Sequence, residues 1–238
     1  MCTDGSEHRE AILFKLNQFR FGLLASTLLT ALAGSANAVT ILSNIQGPVT
    51  TVGGSNLGLL FEGAGIRSKS VGLVTGTTSL SFTSLTALIT NPSSGPARVL
   101  SGGIYSSVNN NPGNLLAAFA PVAIPQLVFD AQPQAATLTT TSVFTLLANT
   151  PYWFVLTGPT TASGTPNNLT WQQLSPPVEP IAIGVAYTGY RSGLDGTWAN
   201  SSVFNAVAIS ATPVPEVNSV FLLTAGLGLI AIRLRRKS

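Results

Sequence analysis

Thr137-Leu-Thr-Thr-Thr-Ser-Val-Phe-Thr-Leu-Leu-Ala-Asn-Thr-Pro-Tyr-Trp-Phe-Val-Leu156 is the stretch on which the fold turns. Leu138, Phe144 and Leu146 share a parity, with Thr140 and Ser142 between them, so an extended chain gathers its large apolar side chains on one face. The remaining threonines suit the solvent side of a strand, where β-branching fits the pleat. Ala148-Asn-Thr-Pro151 can turn, because Asn tolerates a left-handed backbone and Pro sets its own φ. Tyr152-Trp-Phe-Val-Leu156 then resumes as a strand, which sends Tyr152 and Trp153 to opposite faces. Trp153, flanked by apolar residues, is expected in the core. Tyr152 is expected to cap the sheet through a hydrogen bond to a loop carbonyl, as tyrosine corners do.

The same pattern extends in both directions. Strands are expected at Val39-Thr-Ile-Leu42, Val71-Gly-Leu-Val74, around Leu80 and Phe82, at Val99 to Tyr105, Leu127-Val-Phe129, Ile181 to Tyr187 and Val203 to Ile209. Turn-forming clusters are expected to separate them at Gly53-Gly-Ser-Asn56, Asn91 to Pro96, Asn109-Asn-Asn-Pro-Gly113, Thr160 to Asn168 and Pro176-Pro177. Short Thr/Val/Phe-rich runs punctuated in this way predict an all-β, antiparallel β-sandwich, jelly-roll-like. No helical stripe of useful length interrupts them.

Both ends read as addresses. Lys15 and Arg20 lead into the apolar run Phe21 to Gly34, and Ala36-Asn-Ala38 supplies the small residues of a cleavage site, so residues 1–38 are expected to be a signal peptide cut after Ala38. At the other end Pro213-Val-Pro-Glu216 precedes an apolar run from Val217 to Ile232, and Arg233, Arg235, Arg236 and Lys237 follow. A helix of roughly 16 residues spans about 24 Å, somewhat short of a ~30 Å hydrocarbon core, so it can just cross with help. Cations at its end favour the cytoplasmic side, which leaves everything before Pro213 facing outward. This order of motif, transmembrane helix and basic tail resembles the PEP-CTERM sorting signal of exported proteins in Gram-negative bacteria, the motif here reading Pro215-Glu216-Val217. The resemblance implies recognition by exosortase, after export through the Sec translocon and a transient halt in the inner membrane.

The region between, residues 39–212, also resembles the exported modules labelled choice-of-anchor R. Asn111-Pro-Gly-Asn-Leu115, Leu147 to Leu156 with its Tyr-Trp strand, and Gly196-Thr-Trp198 running into Phe204 carry that likeness. It implies a β-sandwich displayed at the cell surface with no established catalytic role. The organisation expected is therefore signal peptide 1–38, exported domain 39–212 and sorting signal 213–238.

The charges follow the same division. The domain from Val39 to Thr212 holds 4 basic and 4 acidic residues, and the tail holds 4 basic and 1 acidic, so the net charge of +3 resides in the tail. The high pI is therefore no evidence for nucleic acid, no nucleic-acid partner is expected, and the near-neutral domain has no long-range steering field. His8 and Cys2 both precede the expected cleavage site, so the mature chain can build neither a Ser-His nor a Cys-His pair, nor a disulfide, nor an ordinary zinc site. No catalytic residue, metal ligand or cofactor is expected. An enzyme would need two of Glu62, Asp130, Glu179 and Asp195 to meet in a cleft.

The role expected is that of a surface or extracellular-matrix structural or adhesive protein. The alternative is a carbohydrate-binding module recognising exopolysaccharide, its stacking surface made of Trp171, Tyr190 and Trp198 with Asp195 and the amides of Asn167, Asn168 and Gln172. The loop Arg191 to Gly196, with one acidic side chain, is too poor in oxygen ligands for Ca²⁺.

Overall fold

The computed structural model describes residues 37–47, 49–59, 65–92, 96–126, 132–161 and 167–214. The segment 127–131, with its expected strand at Leu127-Val-Phe129, lies outside the described residues, as do Glu62 and Asp130. So do residues 1–36 with Ala36, and the tail from Pro215 and Glu216 through Arg233, Arg235, Arg236 and Lys237.

Every regular element among the described residues is a strand. In chain order they are β1 (Val39–Ser43), β2 (Thr51–Leu59), β3 (Ile66–Thr75), β4 (Leu80–Thr90), β5 (Arg98–Val108), β6 (Asn111–Ala118), β7 (Val122–Ile124) and β8 (Gln134–Leu138). They continue as β9 (Thr145–Leu146), β10 (Pro151–Thr157), β11 (Asn167–Leu174), β12 (Ile181–Ala182), β13 (Val185–Leu194), β14 (Thr197–Ser201) and β15 (Val207–Pro213). The ladder runs β12-β1-β15-β4-β11-β2-β3-β10-β5-β6, with β13 on β3, β14 on β13, β7 on β5, and β8 and β9 on β4. Every pairing in it is antiparallel.

The fold is thus all-β and antiparallel, as the strand pattern predicts. Three strands, β11, β2 and β3, lie between β4 and β10, and the four ladder steps would put them roughly 19 Å apart on a flat sheet. Yet the rings of Phe82 on β4 and Phe154 on β10 lie 5.7 Å apart. The sheet therefore curls back over itself and encloses a core that includes Leu42, Leu57, Leu73, Phe82, Phe154, Trp171 and Ile209.

Bulges keep the apolar side chains inside. On β4 the buried residues switch from Leu80 and Phe82 to Leu85, Ala87 and Ile89, a change of parity that would turn half the strand outward. The β15 register shifts at that point, Ser210 facing Ser84 and Ala211 facing Phe82, so Thr83 is the extra residue and both sets face the core. At the far end of β5, Asn109 and Asn110 have φ of 49° and 58°, the two left-handed positions of a two-residue hairpin turn to β6. Gly102 on β5 is held at φ +152°, and a Cβ there would lie 2.0 Å from the Val155 carbonyl oxygen of β10. Gly102→Ala is expected to cost about 2 kcal/mol, read as a lower thermal midpoint with unchanged strand content.

Several sequence expectations are corrected. Gly53-Gly-Ser-Asn56 is not a separator but the middle of β2, paired with β11. Thr137 to Leu147 is not one strand. It breaks after Leu138, where the Thr139 carbonyl accepts the Ala120 N–H and the Thr141 N–H donates to the Ala118 carbonyl, and returns as β9, so Leu138 and Leu146 still both meet β4. Gly184, at φ 69°, divides Ile181 to Tyr187 between β12 on β1 and β13 on β3. The last strand starts at Val207 instead of Val203 and runs through Pro213, one residue beyond the expected domain boundary at Thr212.

The two aromatics of β10 take opposite faces of the strand and both are buried, Trp153 as expected. Tyr152 belongs to the core, edge-on to Phe144 at 6.0 Å, and its hydroxyl accepts the Leu147 N–H at 2.9 Å instead of donating to a carbonyl. Trp153 lies on the other face, across Gly72, and donates to Ser107 Oγ at 3.2 Å. It is nevertheless buried, because the Arg191 guanidinium covers its ring at 4.9 Å. A charged side chain does there what a second apolar layer would do.

Candidate functional site

The aromatics proposed for stacking on a sugar occupy two different environments. Trp171 on β11 and Tyr190 on β13 are interior residues, 0% and 1% exposed, and meet edge-to-face at 6.1 Å. Burial of their polar atoms is compensated at every point. Trp171 Nε1 donates to the Ala206 carbonyl at 2.7 Å, and the Tyr190 hydroxyl donates to the Asn205 carbonyl at 2.6 Å. Asn205 Nδ2 donates in turn to the Trp171 carbonyl at 2.5 Å, while its Oδ1 accepts Ser55 Oγ at 3.2 Å.

Asn44 completes this network. Its Nδ2 donates to the Asn205 and Val178 carbonyls, and its Oδ1 accepts the Val207 N–H at 2.8 Å. Five separate stretches of chain are tied through two buried amides, the arrangement that lets polar groups sit inside a core without penalty. Desolvation, reinforced by the neighbouring Tyr187, pushes the Tyr190 hydroxyl well above its ordinary range. These two rings therefore present no face to a ligand. Gln172, which the sugar reading also used, is buried and donates to Thr90 Oγ1 at 2.8 Å, and Asn168 donates to Asn56 Oδ1 at 3.2 Å.

Asp195 and Trp198 lie together on the β13–β14 hairpin, away from water-excluded core. Asp195 and Gly196 have φ of 47° and 81°, an Asp-Gly turn of the kind that matches strand twist. The Asp195 carboxylate accepts the Ile66 N–H at 2.7 Å, and its own N–H returns to the Ile66 carbonyl at 3.1 Å. Trp198 faces Gly193 across the hairpin and packs on it, where any Cβ would come within 2.8 Å of the ring. Both residues have local structural work, and of the four only these two reach the surface. Glu179, like Asp195, is exposed, and no group of three or more metal-ligating side chains occurs among the described residues.

The cations were not legible as interior residues, yet three of the domain's four are buried: Lys69, Arg98 and Arg191. Arg98 donates to the Asn168 carbonyl at 2.6 Å, and Arg191 to the Asn110 carbonyl and Asn111 Oδ1 at 3.1 Å each. Lys69 shares the core-facing parity of Val71 and Leu73 on β3. Its ammonium donates to Ser192 Oγ and Ser201 Oγ and sits 5.7 Å from the centre of the Tyr190 ring. Desolvation lowers it to about 8. With these three occupied internally, the exposed face has little positive charge to offer a ligand.

An open groove of about 440 Å³ crosses the outer side of β12, β1, β15 and β4, floored by Thr40, Ser43, Thr86 and Ser210 and rimmed by Ile181 and Ile183. Its hydroxyls already have partners: Thr40 meets Ser210 at 3.5 Å, Ser43 donates to the Ile45 carbonyl at 3.2 Å, and Thr86 meets Thr137 outside the groove at 3.1 Å.

The residues expected to form a sorting motif straddle the limit of the described chain. Pro213 is the last residue of β15, opposite Leu80, and the Val214 N–H donates to the Ser79 carbonyl at 3.0 Å. Ala38 is exposed, and Val39 after it begins β1. Neither a protein-family model nor a curated protein matches this chain. The functional reading therefore stands on its own residues.

Proposed function

We propose that this is an exported domain, sorted to the cell surface or extracellular matrix by its C-terminal signal, where it serves a structural or adhesive role without catalysis. The observation that carries the proposal is the order of residues from Pro213 onward: Pro-Glu motif, apolar run and four terminal cations in 26 residues. Its resemblance to PEP-CTERM signals supplies the machinery, exosortase acting after Sec-dependent export and a halt in the inner membrane. Exosortase cuts the chain near Pro215 and Glu216, passing the new carboxyl end to water or to a surface nucleophile. The curled sheet, with Phe82 facing Phe154 across one core, fits a jelly-roll-like sandwich of the choice-of-anchor type.

Burial of Trp171 and Tyr190 weighs against the carbohydrate-binding alternative in the form that needs all four residues. The test is the intact mass of the protein recovered from membranes, cell surface and medium, beside a Pro215→Ala, Glu216→Ala double variant. A surface form that begins at Val39 and lacks the tail, and that disappears in the variant, is the expected result. A tail retained in the membrane in both proteins would make this a plain membrane-anchored domain.

A further inference from the structure

We infer that the outward face of the sheet around Trp198 binds an uncharged polysaccharide, the indole stacking on a sugar ring while the polar side chains beside it bond the ring's hydroxyls. The inference goes beyond the sorting reading and stands whether or not the tail is processed.

Register defines the face. One row across β10, β3, β13 and β14 is Thr157, Ser68, Gly193 and Trp198, each the direct partner of the next. The adjoining row is Val155, Ser70, Arg191 and Asn200. Thr157 and Ser68 have the parity of Trp153 and Gly72, opposite to that of the core residues Phe154 and Val71, so they point outward. Three strand steps from Thr157 to Trp198 make a platform about 14 Å long.

Trp198 lies along this platform. Three consecutive carbons of its six-membered ring would stand 2.8 to 3.0 Å from a Cβ at Gly193, so one face of the ring rests on the glycine. The residue is only half-buried, and its other face is turned away from the sheet. Trp153 and Trp171 donate their indole N–H groups to Ser107 and Ala206, but that of Trp198 has no partner among the described residues. The Ser68 hydroxyl and the exposed Asn200 amide are equally unshared among the described residues. Thr157 Oγ1 donates to the Arg67 carbonyl at 3.4 Å and keeps its lone pairs for a donor.

This combination selects the ligand. A pyranose ring has an apolar C–H face that suits a flat indole and a rim of hydroxyls that both donate and accept. A wholly apolar ligand would strip water from Ser68, Thr157 and Asn200 and return no hydrogen bond. Charged polymers find no counterpart. The cation of this face, Arg191, has committed Nε to Asn110 and Asn111 and Nη1 to the Tyr190 carbonyl, with its guanidinium over Trp153. The Asp195 carboxylate at the tip of the same hairpin repels an anionic chain. Among the described residues β14 pairs with β13 alone, so the platform is open beyond Trp198 and a polymer can run on past it.

The test is titration of the full-length protein in detergent with laminarin, hydroxyethylcellulose and galactomannan, with alginate as the anionic control, followed by calorimetry and tryptophan emission. At least one neutral polymer should bind, and alginate should not. Trp153 and Trp171 are 1% and 0% exposed, so a change in emission on binding reports Trp198 and should vanish in Trp198→Phe. Trp198→Ala should weaken binding on the order of tenfold or more, and Ser68→Ala and Asn200→Ala by about threefold each. If Trp198→Ala loses its cooperative unfolding transition, the Ser68 and Asn200 variants decide, since their side chains have no partner in the fold. Binding of alginate alone, binding of none of the three neutral polymers, or affinity unchanged in the folded variants would each overturn the site.

Discussion

Trp171→Ala is expected to destabilise the domain by about 3–5 kcal/mol, a large part of the stability of any single domain of this size. The ring is fully buried, edge-on to Tyr190, and its removal leaves a cavity between β11 and β13 that close-packed strands cannot collapse into. The Ala206 carbonyl loses its 2.7 Å donor at the same time. Trp171→Phe separates the two effects: most of the volume stays, the hydrogen bond goes, and the expected cost is about 1–3 kcal/mol. Trp198→Ala, at a half-buried position on the hairpin, should cost about 1 kcal/mol. Urea midpoints at unchanged slope measure all three. A Trp171→Ala protein as stable as the wild type would show that the ring is not core, and would return it to the surface as a sugar platform. Any glycan binding lost in that variant should follow the fraction unfolded, not a missing contact.

Why Trp171 read as a surface residue is instructive. Its sequence neighbours, Asn167, Asn168, Thr170 and Gln172, have the composition of an exposed loop. In β11 the demands of two of them are met inside, Gln172 by Thr90 and Asn168 by Asn56. Hydrogen-bond satisfaction depends on partners more than 80 positions away in sequence, and no local pattern encodes it. The same holds for Tyr190, whose neighbours Arg191 and Ser192 suggest solvent, although the Arg191 guanidinium sits over the Trp153 ring. By contrast β1, β3, β4, β5 and β10 carry β-branched and aromatic runs that state their conformation locally. β2 hid its conformation for a third reason. Its Gly53-Gly54 pair has the sequence of a turn, but Gly54 lacks a Cβ because one would lie 2.2 Å from the Trp171 carbonyl oxygen of the neighbouring strand. A glycine required by close approach and a glycine required by a turn look alike in sequence.

Lys69 should make the stability of this domain rise with pH above about 8, before the buried tyrosines bring it down again. The ammonium is 1% exposed and held by two serine hydroxyls and the Tyr190 ring, which do not repay its desolvation, so its pKa drops from 10.5 to about 8. Below about pH 8 both folded and unfolded chains carry the proton, and the penalty for burying it is fully present. Between about 8 and 10.5 the unfolded chain binds more protons than the folded one, so unfolding becomes harder as pH rises. The whole gain is on the order of 3 kcal/mol. The tyrosines act with the opposite sign. Burial raises Tyr190, Tyr187 and Tyr105 above 10.0, with the Glu179 charge adding to Tyr187 and Arg191 opposing it. Above about pH 10 the unfolded chain therefore gives up phenolic protons that the folded one keeps, and stability declines. The two trends place the maximum near pH 10, above the range where stability is usually greatest. Lys69→Met keeps the stem among Val71, Leu73 and Tyr190 while removing the charge, so its profile should lose the rise above pH 8 and keep the fall above pH 10. Urea unfolding from pH 6 to 11 on both proteins decides the matter, and an unchanged rise in the Met variant would mean that some other group, not Lys69, is responsible.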